Sequence, residues 1–401
     1  MILPCRIHRA RNRVDSLPLA LLVSALLALQ SGHIYGQDAV GSPFEASGIG
    51  WLPAVPIQIT AGVDAGYDDN VTTSASGQGS VFARENVVLT YDRPGRTEFY
   101  LLGIGRFSQF FDVTGQDETA GNVTMSLTHN FSTRLSFYAS IYGAYQTEPN
   151  FQSDVGPENV RAAFFYTSDI FSVTYHWLPR LTTVTSYTFA RIKYDESSIG
   201  SFQDRVQGTF SEQLQFSLTS RTNLSGQYRF ETINYDTATT DSTAHYLLAG
   251  FDHHLTEHLI FHILGGGSFR SFENDGNTAN PYFESSLGYR GSNHTVNWTT
   301  SYDFEPANQE GVSIRKTLRT GLNMTYGLTS RISSTAGVYF HHDDNEGVGS
   351  QDSLDLNLSL RYTITKRLTA HVDYAYTSIS SLASTPGYSR NRYFAGLNYT
   401  Y

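Results

Sequence analysis

Leu354-Asp355-Leu356-Asn357-Leu358-Ser359-Leu360-Arg361-Tyr362-Thr363-Ile364 alternates apolar and polar side chains without a break. Successive side chains of a strand point to opposite faces, so this run has one greasy face and one polar face. A tilted strand crosses the membrane hydrocarbon in about 9–11 residues, which this run supplies. An amphipathic helix would repeat every 3.6 residues instead. The stretch therefore predicts a membrane-crossing strand with one face toward lipid and the other toward a polar interior.

The same period recurs at both ends of the patterned region. Ile57, Ile59, Ala61, Val63, Ala65 and Tyr67 alternate with Gln58, Thr60, Gly62, Asp64, Gly66 and Asp68. At the C-terminus, Tyr393, Ala395, Leu397, Tyr399 and Tyr401 alternate with Arg392, Phe394, Gly396, Asn398 and Thr400. Between them, tight turns and longer polar connections take turns. The tight set is Arg93-Pro94-Gly95-Arg96, Ser132-Thr133-Arg134, Leu178-Pro179-Arg180, Thr219-Ser220-Arg221, Leu255-Thr256-Glu257, Gly291-Ser292-Asn293, Thr329-Ser330-Arg331 and Thr365-Lys366-Arg367. The longer set includes 69–80, 148–158, 195–203, 236–241, 305–311 and 343–351. Bacterial barrels put short turns on the periplasmic rim and long loops outside. Counting both sets predicts an all-β, single transmembrane antiparallel β-barrel of about 18 strands. Sixteen is the fallback, because 159–176 is hard to divide. Closure follows from physics: an open sheet edge in hydrocarbon leaves N–H and C=O groups without partners.

Composition agrees. Aromatic residues make up 13% and charged residues only 16% of the 401 residues, with 26 Tyr and 25 Phe, types that favour strands. Arg6, Arg9, Arg11 and Arg13 precede an apolar run from Leu17 to Leu29, and small residues follow. That is the order of a cleaved export signal, with a cut expected after Gly36. The run is too short for a membrane helix, which needs about 20 residues. Residues 1–36 are thus read as a signal peptide, 37–56 as a periplasmic tether and 57–401 as the barrel, placed in the outer membrane after export through the inner one. The single Cys, Cys5, precedes the cut, so the mature chain has no disulfide, thiolate metal site or Cys nucleophile. Residues 1–36 hold four Arg and one Asp, so 27 basic and 37 acidic residues become 23 and 36, a net charge of −13. Nucleic acid does not fit so acidic a chain.

The polar faces nominate pore-lining residues: Asp64, Arg229, Glu231, Arg319, Asp355, Arg361, His371 and Asp373. Mixed charges in a water-filled lumen would set a weak solute preference; in a filled interior they would pair with one another instead. Tyr67, Tyr91, Phe131, Tyr145 and Tyr326 near strand ends would form interfacial girdles. Most strand aromatics share the apolar face, with Tyr339 and Phe394 as exceptions. Glu212 falls on the apolar face with Phe210 and Leu214, which calls for a bulge or a rim position. Tyr100 to Arg106 can be read with either face outward.

Acidic residues crowd the longer loops, among them Asp68, Asp69, Glu118, Asp195, Glu196, Asp343, Asp344 and Glu346, whereas Arg96, Arg134, Arg180, Arg221, Arg331 and Arg367 mark tight turns. No loop has the ligand spacing of a calcium site, so a solvated rim is the plainer reading. Asp68-Asp69-Asn70 and Asp343-Asp344-Asn345 read as turn chemistry. His253-His254 with His258, and His341-His342, cannot chelate as neighbours, because adjacent strand residues point to opposite faces. No nucleophile elbow or phosphate loop is present. No catalytic residue, metal site or cofactor is assigned.

Two features carry a resemblance. Leu397, Tyr399 and Tyr401 are similar to the C-terminal assembly signal of bacterial outer-membrane proteins, with Tyr in place of the usual final Phe. Ala61-Gly62-Val63-Asp64-Ala65-Gly66-Tyr67-Asp68-Asp69-Asn70-Val71 and the turn Ile364-Thr365-Lys366-Arg367-Leu368 resemble the putative β-barrel porin 2 family over residues 57–401. The resemblance implies an outer-membrane barrel, in some members linked to exopolysaccharide production or export, and supplies no catalytic residues. The expected partners are outer-membrane lipid and lipopolysaccharide, the barrel assembly machinery, and small solutes or polysaccharide. Nothing marks an oligomer interface.

Three functions are consistent with these features. The first is a passive porin-like channel for small solutes or ions. The second is an accessory barrel of exopolysaccharide export or cell-surface architecture. The third is an outer-membrane hydrolase, for which no motif speaks.

Overall fold

The computed structural model describes residues 57–149, 161–238, 240–273, 276–306, 315–382 and 386–401. The expected signal peptide and tether lie outside the described residues. In chain order the strands are β1 (Ile57–Asp68), β2 (Ser80–Arg93), β3 (Thr97–Phe110), β4 (Glu118–Asn130), β5 (Leu135–Gln146), β6 (Phe164–Leu178) and β7 (Leu181–Tyr194). A short helix, α1 (Ser197–Gln203), leads into β8 (Arg205–Ser217), β9 (Thr222–Tyr235), β10 (Ser242–His254), β11 (Leu259–Phe272) and β12 (Gly276–Arg290). The chain ends with β13 (His294–Glu305), β14 (Arg315–Gly327), β15 (Ile332–Asn345), β16 (Gly349–Thr363), β17 (Leu368–Ile379) and β18 (Tyr388–Thr400).

Each strand pairs antiparallel with the one before it, and β1 pairs with β18, so the 18-stranded sheet is a closed barrel. Every strand bonds on both sides, as hydrocarbon demands. Among the described residues no helix is long and apolar enough to cross a membrane; the strands do so.

The eight tight connections share one rim, called here the turn rim, with the start of β1 and the end of β18. Their recurrent hydroxyl has a mechanism. Thr365 Oγ1 accepts the backbone N–H of Arg367 (3.2 Å) and of Leu368 (3.1 Å). Thr329 Oγ1 does the same for Arg331 and Ile332, and Ser132 Oγ for Arg134 and Leu135. The side chain satisfies two turn donors locally, the advantage that Ser and Thr bring to turns.

Three expectations need correction. The connection read as 343–351 is shorter: β15 runs to Asn345 and β16 restarts at Gly349, and Gly347 and Gly349 take the positive φ values (+81° and +123°) that the turn demands. Glu212 sits neither at a bulge nor at a rim. The ladders Thr185↔Glu212↔Tyr228 are continuous, and the outward carboxylate accepts a 2.5 Å hydrogen bond from Thr185 Oγ1. Asp68, Glu118, Asp343 and Asp344 are strand residues, and the first three are buried rather than solvated. Elsewhere the β12–β13 ladder stops at Phe283↔Tyr302, two residues from Pro281, which has no N–H to give.

Candidate functional site

The two faces of the barrel wall separate cleanly. Along β16, Leu358, Leu360 and Tyr362 are exposed, while Asp355 is 1% exposed on the other face. Burial of the polar face and exposure of the apolar one identify the polar face as concave, with the apolar belt left for lipid. In β3 this places Leu101, Gly103 and Gly105 outward, and Tyr100, Leu102, Ile104 and Arg106 inward. Leu397, Tyr399 and Tyr401 point outward and are exposed, with the two Tyr rings edge to face at 4.7 Å.

All eight nominated residues face inward, but as separate paired groups. His371 bonds Asp64 through Nε2 (2.9 Å), and Asn398 donates to its Nδ1 (3.1 Å). Asp373 lies 3.5 Å from the same Nε2, and Arg361 stands opposite His371 in the ladder. Asp355 accepts from Thr377 Oγ1 (2.9 Å) and from Asn357. Arg229 donates to Tyr282 Oη (2.7 Å) and Glu284 (3.1 Å). Glu231 pairs with Arg270, and Arg319 with Glu305. Burying a charge is costly unless it is paired and hydrogen-bonded; Arg229, Glu231 and Arg319 meet both conditions, and Asp355 is held by the neutral donors of Thr377 and Asn357.

A second charged group was not nominated. β5 and β18 are separated around the ring by β1 to β4, yet Glu148, just past β5, bonds Arg390 (2.7 Å) and Arg392 (2.6 Å) of β18. The Glu148 carboxylate therefore reaches past four strands of the wall to β18. Beside it, Thr147 donates to Glu118 (2.8 Å), and Arg161 reaches Gln116 (2.9 Å) and Glu118 (3.5 Å). Burial pushes the Glu148 carboxyl up, but Arg390, Arg392 and Arg161 outweigh it and hold the group well below the usual carboxylate range. This latch ties Glu148 to β18 near the loop rim.

Arg84 differs from its neighbours. Its guanidinium stacks on Phe82 (5.2 Å) and Phe394 (5.0 Å), and Nε donates to Ser108 (3.1 Å). Among the described residues no carboxylate lies within ion-pair distance of it.

The inward face also holds more aromatics than period two suggests. Phe82, Phe110 and Phe394 cluster with Val71, and Phe164 and Tyr194 with Ile192 and Ile199 of α1. Tyr339 bonds Asn323. These rings pack on one another near the loop rim; they do not form an exposed row along which a sugar would slide.

A hydrolase would need a nucleophile bonded to a base. Asp252, His262 and Ser286 stand opposite one another on β10, β11 and β12, and His262 Nδ1 bonds Asp252 (2.6 Å). The other ring nitrogen, Nε2, makes no hydrogen bond, and its nearest charged neighbour is Glu284 at 3.7 Å. The nucleophile–base bond of such a site is missing. The His pairs split across the wall: His341 is inward and buried, whereas His342 is outward on Asp352 (2.7 Å), and His253 is outward on Thr222 (3.0 Å). Among the described residues no three potential metal ligands converge.

A closed 18-stranded wall with a lipid-compatible outside and a polar interior defines an outer-membrane β-barrel of porin-like build. The sequence model of the family described as putative beta-barrel porin 2 matches residues 56–401, and the chain belongs to that family. Among curated proteins none matches it in sequence. Similar solved structures include the outer membrane protein OpdK of Pseudomonas aeruginosa, at 9% identity and a TM-score of 0.43, covering 86% of this chain and 99% of that one. OccAB3 of Acinetobacter baumannii is 11% identical, with a TM-score of 0.40 over 86% of this chain and 99% of that one. The siderophore receptor PirA of P. aeruginosa is 10% identical, with a TM-score of 0.42 over 87% of this chain and 81% of that one.

Proposed function

We propose that the protein is a passive outer-membrane channel for small solutes or ions, narrowed near its loop rim by the Glu148 latch. The observation that carries this reading is the wet turn-side half of the interior. Asn297, Thr299 and Thr335 face inward and remain exposed, which a filled barrel would not allow. A barrel of this strand number is too wide for wall side chains alone to fill. Neutral amides and hydroxyls line much of that half, beside the Asp252–His262 pair and the Arg361–His371–Asp373 group, so solutes meet weak, exchangeable hydrogen bonds there. At the narrow level they meet Arg84, which forms no ion pair among the described residues and favours anions over cations. No step requires a cofactor or an energy source.

The dry loop-side half favours a second reading, an accessory barrel of exopolysaccharide export or cell-surface architecture. Liposome swelling separates the two. Vesicles carrying the refolded protein are expected to swell in small sugars and amino acids faster than protein-free vesicles. Folded, heat-modifiable protein with no swelling would remove the channel reading and leave the accessory one.

A further inference from the structure

Seventeen of the eighteen neighbouring strand pairs are consecutive in the chain. A hairpin connection fixes the register of the pair it joins. The β1–β18 seam has no such connection, since Thr60 and Thr400, which share a 3.0 Å hydroxyl bond across it, are 340 residues apart. Its register must be written in side chains.

We propose that the inward faces of β1 and β18 carry a register code that recognises the correct closure of the barrel. Three successive inward rungs each set one glycine against one side chain: Gly62↔Asn398, Asp64↔Gly396 and Gly66↔Phe394. The fit is close. A Cβ on Gly62 would lie 1.9 Å from Asn398 Oδ1 and 2.6 Å from the side-chain amide of Asn86 on β2, and one on Gly396 would lie 2.0 Å from Asp64 Oδ1. Gly396 is what lets Asp64 pass over β18 and reach His371 on β17 (2.9 Å).

A slip that keeps the faces correct must be two residues. In one direction it sets Gly66 opposite Gly396, Asp64 opposite Asn398 and Asp68 opposite Phe394. In the other it sets Gly62 opposite Gly396, Asp64 opposite Phe394 and Gly66 opposite Arg392. Either slip leaves a void at one rung and a crowded carboxylate at another.

The loop rim adds a clasp. Asp68 takes Arg390 through both oxygens (Nε at 3.0 and 2.9 Å). Asp69 takes the backbone N–H and the Nδ2 of Asn391, each at 2.7 Å. Asn70 Nδ2 donates to the carbonyl of Ser389 (3.0 Å). Three consecutive residues thus read three consecutive residues of the last strand, a larger role than the turn chemistry expected of them.

Cross-linking tests the code in the full chain, expressed into the outer membrane of a Gram-negative host. With Cys5→Ser, the pair Ala65→Cys and Ala395→Cys, which face each other outside the barrel, reports the native register as a disulfide-linked band. Gly62→Asn is expected to reduce that band on the order of ten-fold, because overpacking this rung disfavours the register. Adding Asn398→Gly exchanges the partners across the rung and, with Asn86→Ala to clear the second neighbour of the new side chain, is expected to restore it. An undiminished band in Gly62→Asn would overturn the code. So would a loss that the exchange does not repair, since the rung would then not be read as a pair.

Discussion

The loop-side and turn-side halves of the interior are built on the same alternation and differ in chemistry. Near the loop rim the inward residues are dry, and many are charged or aromatic: Asp68 and Phe164 are 0% exposed, and Asp343 is 1% exposed. Near the turn rim they are mostly neutral amides and hydroxyls, and Asn297, Thr299 and Thr335 stay in contact with water. Two places depart from this: Asp252 and His262 carry a buried pair close to the turn rim on β10 and β11, and Arg361, His371 and Asp373 form a charged group within four rungs of the β16–β17 turn. Period two thus decides which side chains face inward, but not whether the interior at that level is open. That depends on what crosses from other strands, and near the loop rim Glu148 crosses to β18.

The contrast can be broken by mutation, most strongly at the ion pairs. Arg390→Ala leaves Asp68 and Glu148 buried without their shared partner, and such a loss costs about 3–5 kcal/mol. The folded form should resist heat far less on electrophoresis; an unchanged midpoint would mean that the loop-side network is not cohesive. Acid acts on the same latch more gently. Because the Glu148 carboxyl is depressed in the folded state, the latch contributes fully above the ordinary carboxylate range of about 4.3 and is lost only as pH falls through the lower, folded value. Stability should therefore part from that of Glu148→Gln at neutral pH and converge with it only well below pH 4.3. Convergence already near neutrality would show that the carboxylate is not held by the arginines.

Arg84→Ala orphans no acid, so the loss is that of ring stacking, about 0.5–2 kcal/mol. Its larger consequence should be a reversal potential shifted toward cations in a salt gradient; an unshifted potential would remove Arg84 from the solute path. Thr335→Ala, on the wet half, should change stability by less than about 0.5 kcal/mol. A larger loss in thermal unfolding would show that the turn-side half is packed too.

Much of this architecture was legible in the residues. The alternation in 354–364, the eight turns and the closing aromatic strand gave a single barrel of 18 strands, because each of these signals is local. Partner choice is not local. Nothing near Glu148 in sequence points to Arg390, 242 positions away across four strands. The two Asp-Asp-Asn tripeptides show the same limit. Asp343 serves Arg315 of the adjacent strand (3.0 Å), while Asp68, the equivalent residue, serves the seam. Polar residues at the end of β15 look like loop residues, which is why that connection was read too long. Glu212 was misplaced because a mid-strand carboxylate on a lipid face is rare; the Thr185 hydroxyl beside it gives it a hydrogen-bond partner there.

Single-channel recording in planar bilayers tests the central claim, that an open turn-side half leads to a charged narrowing held by Glu148. Wild-type protein should give stable steps, and Glu148→Ala larger ones, because no carboxylate then reaches from the end of β5 to Arg390 and Arg392. Folded, heat-modifiable barrels that stay silent in both forms, or steps of equal size, would contradict it.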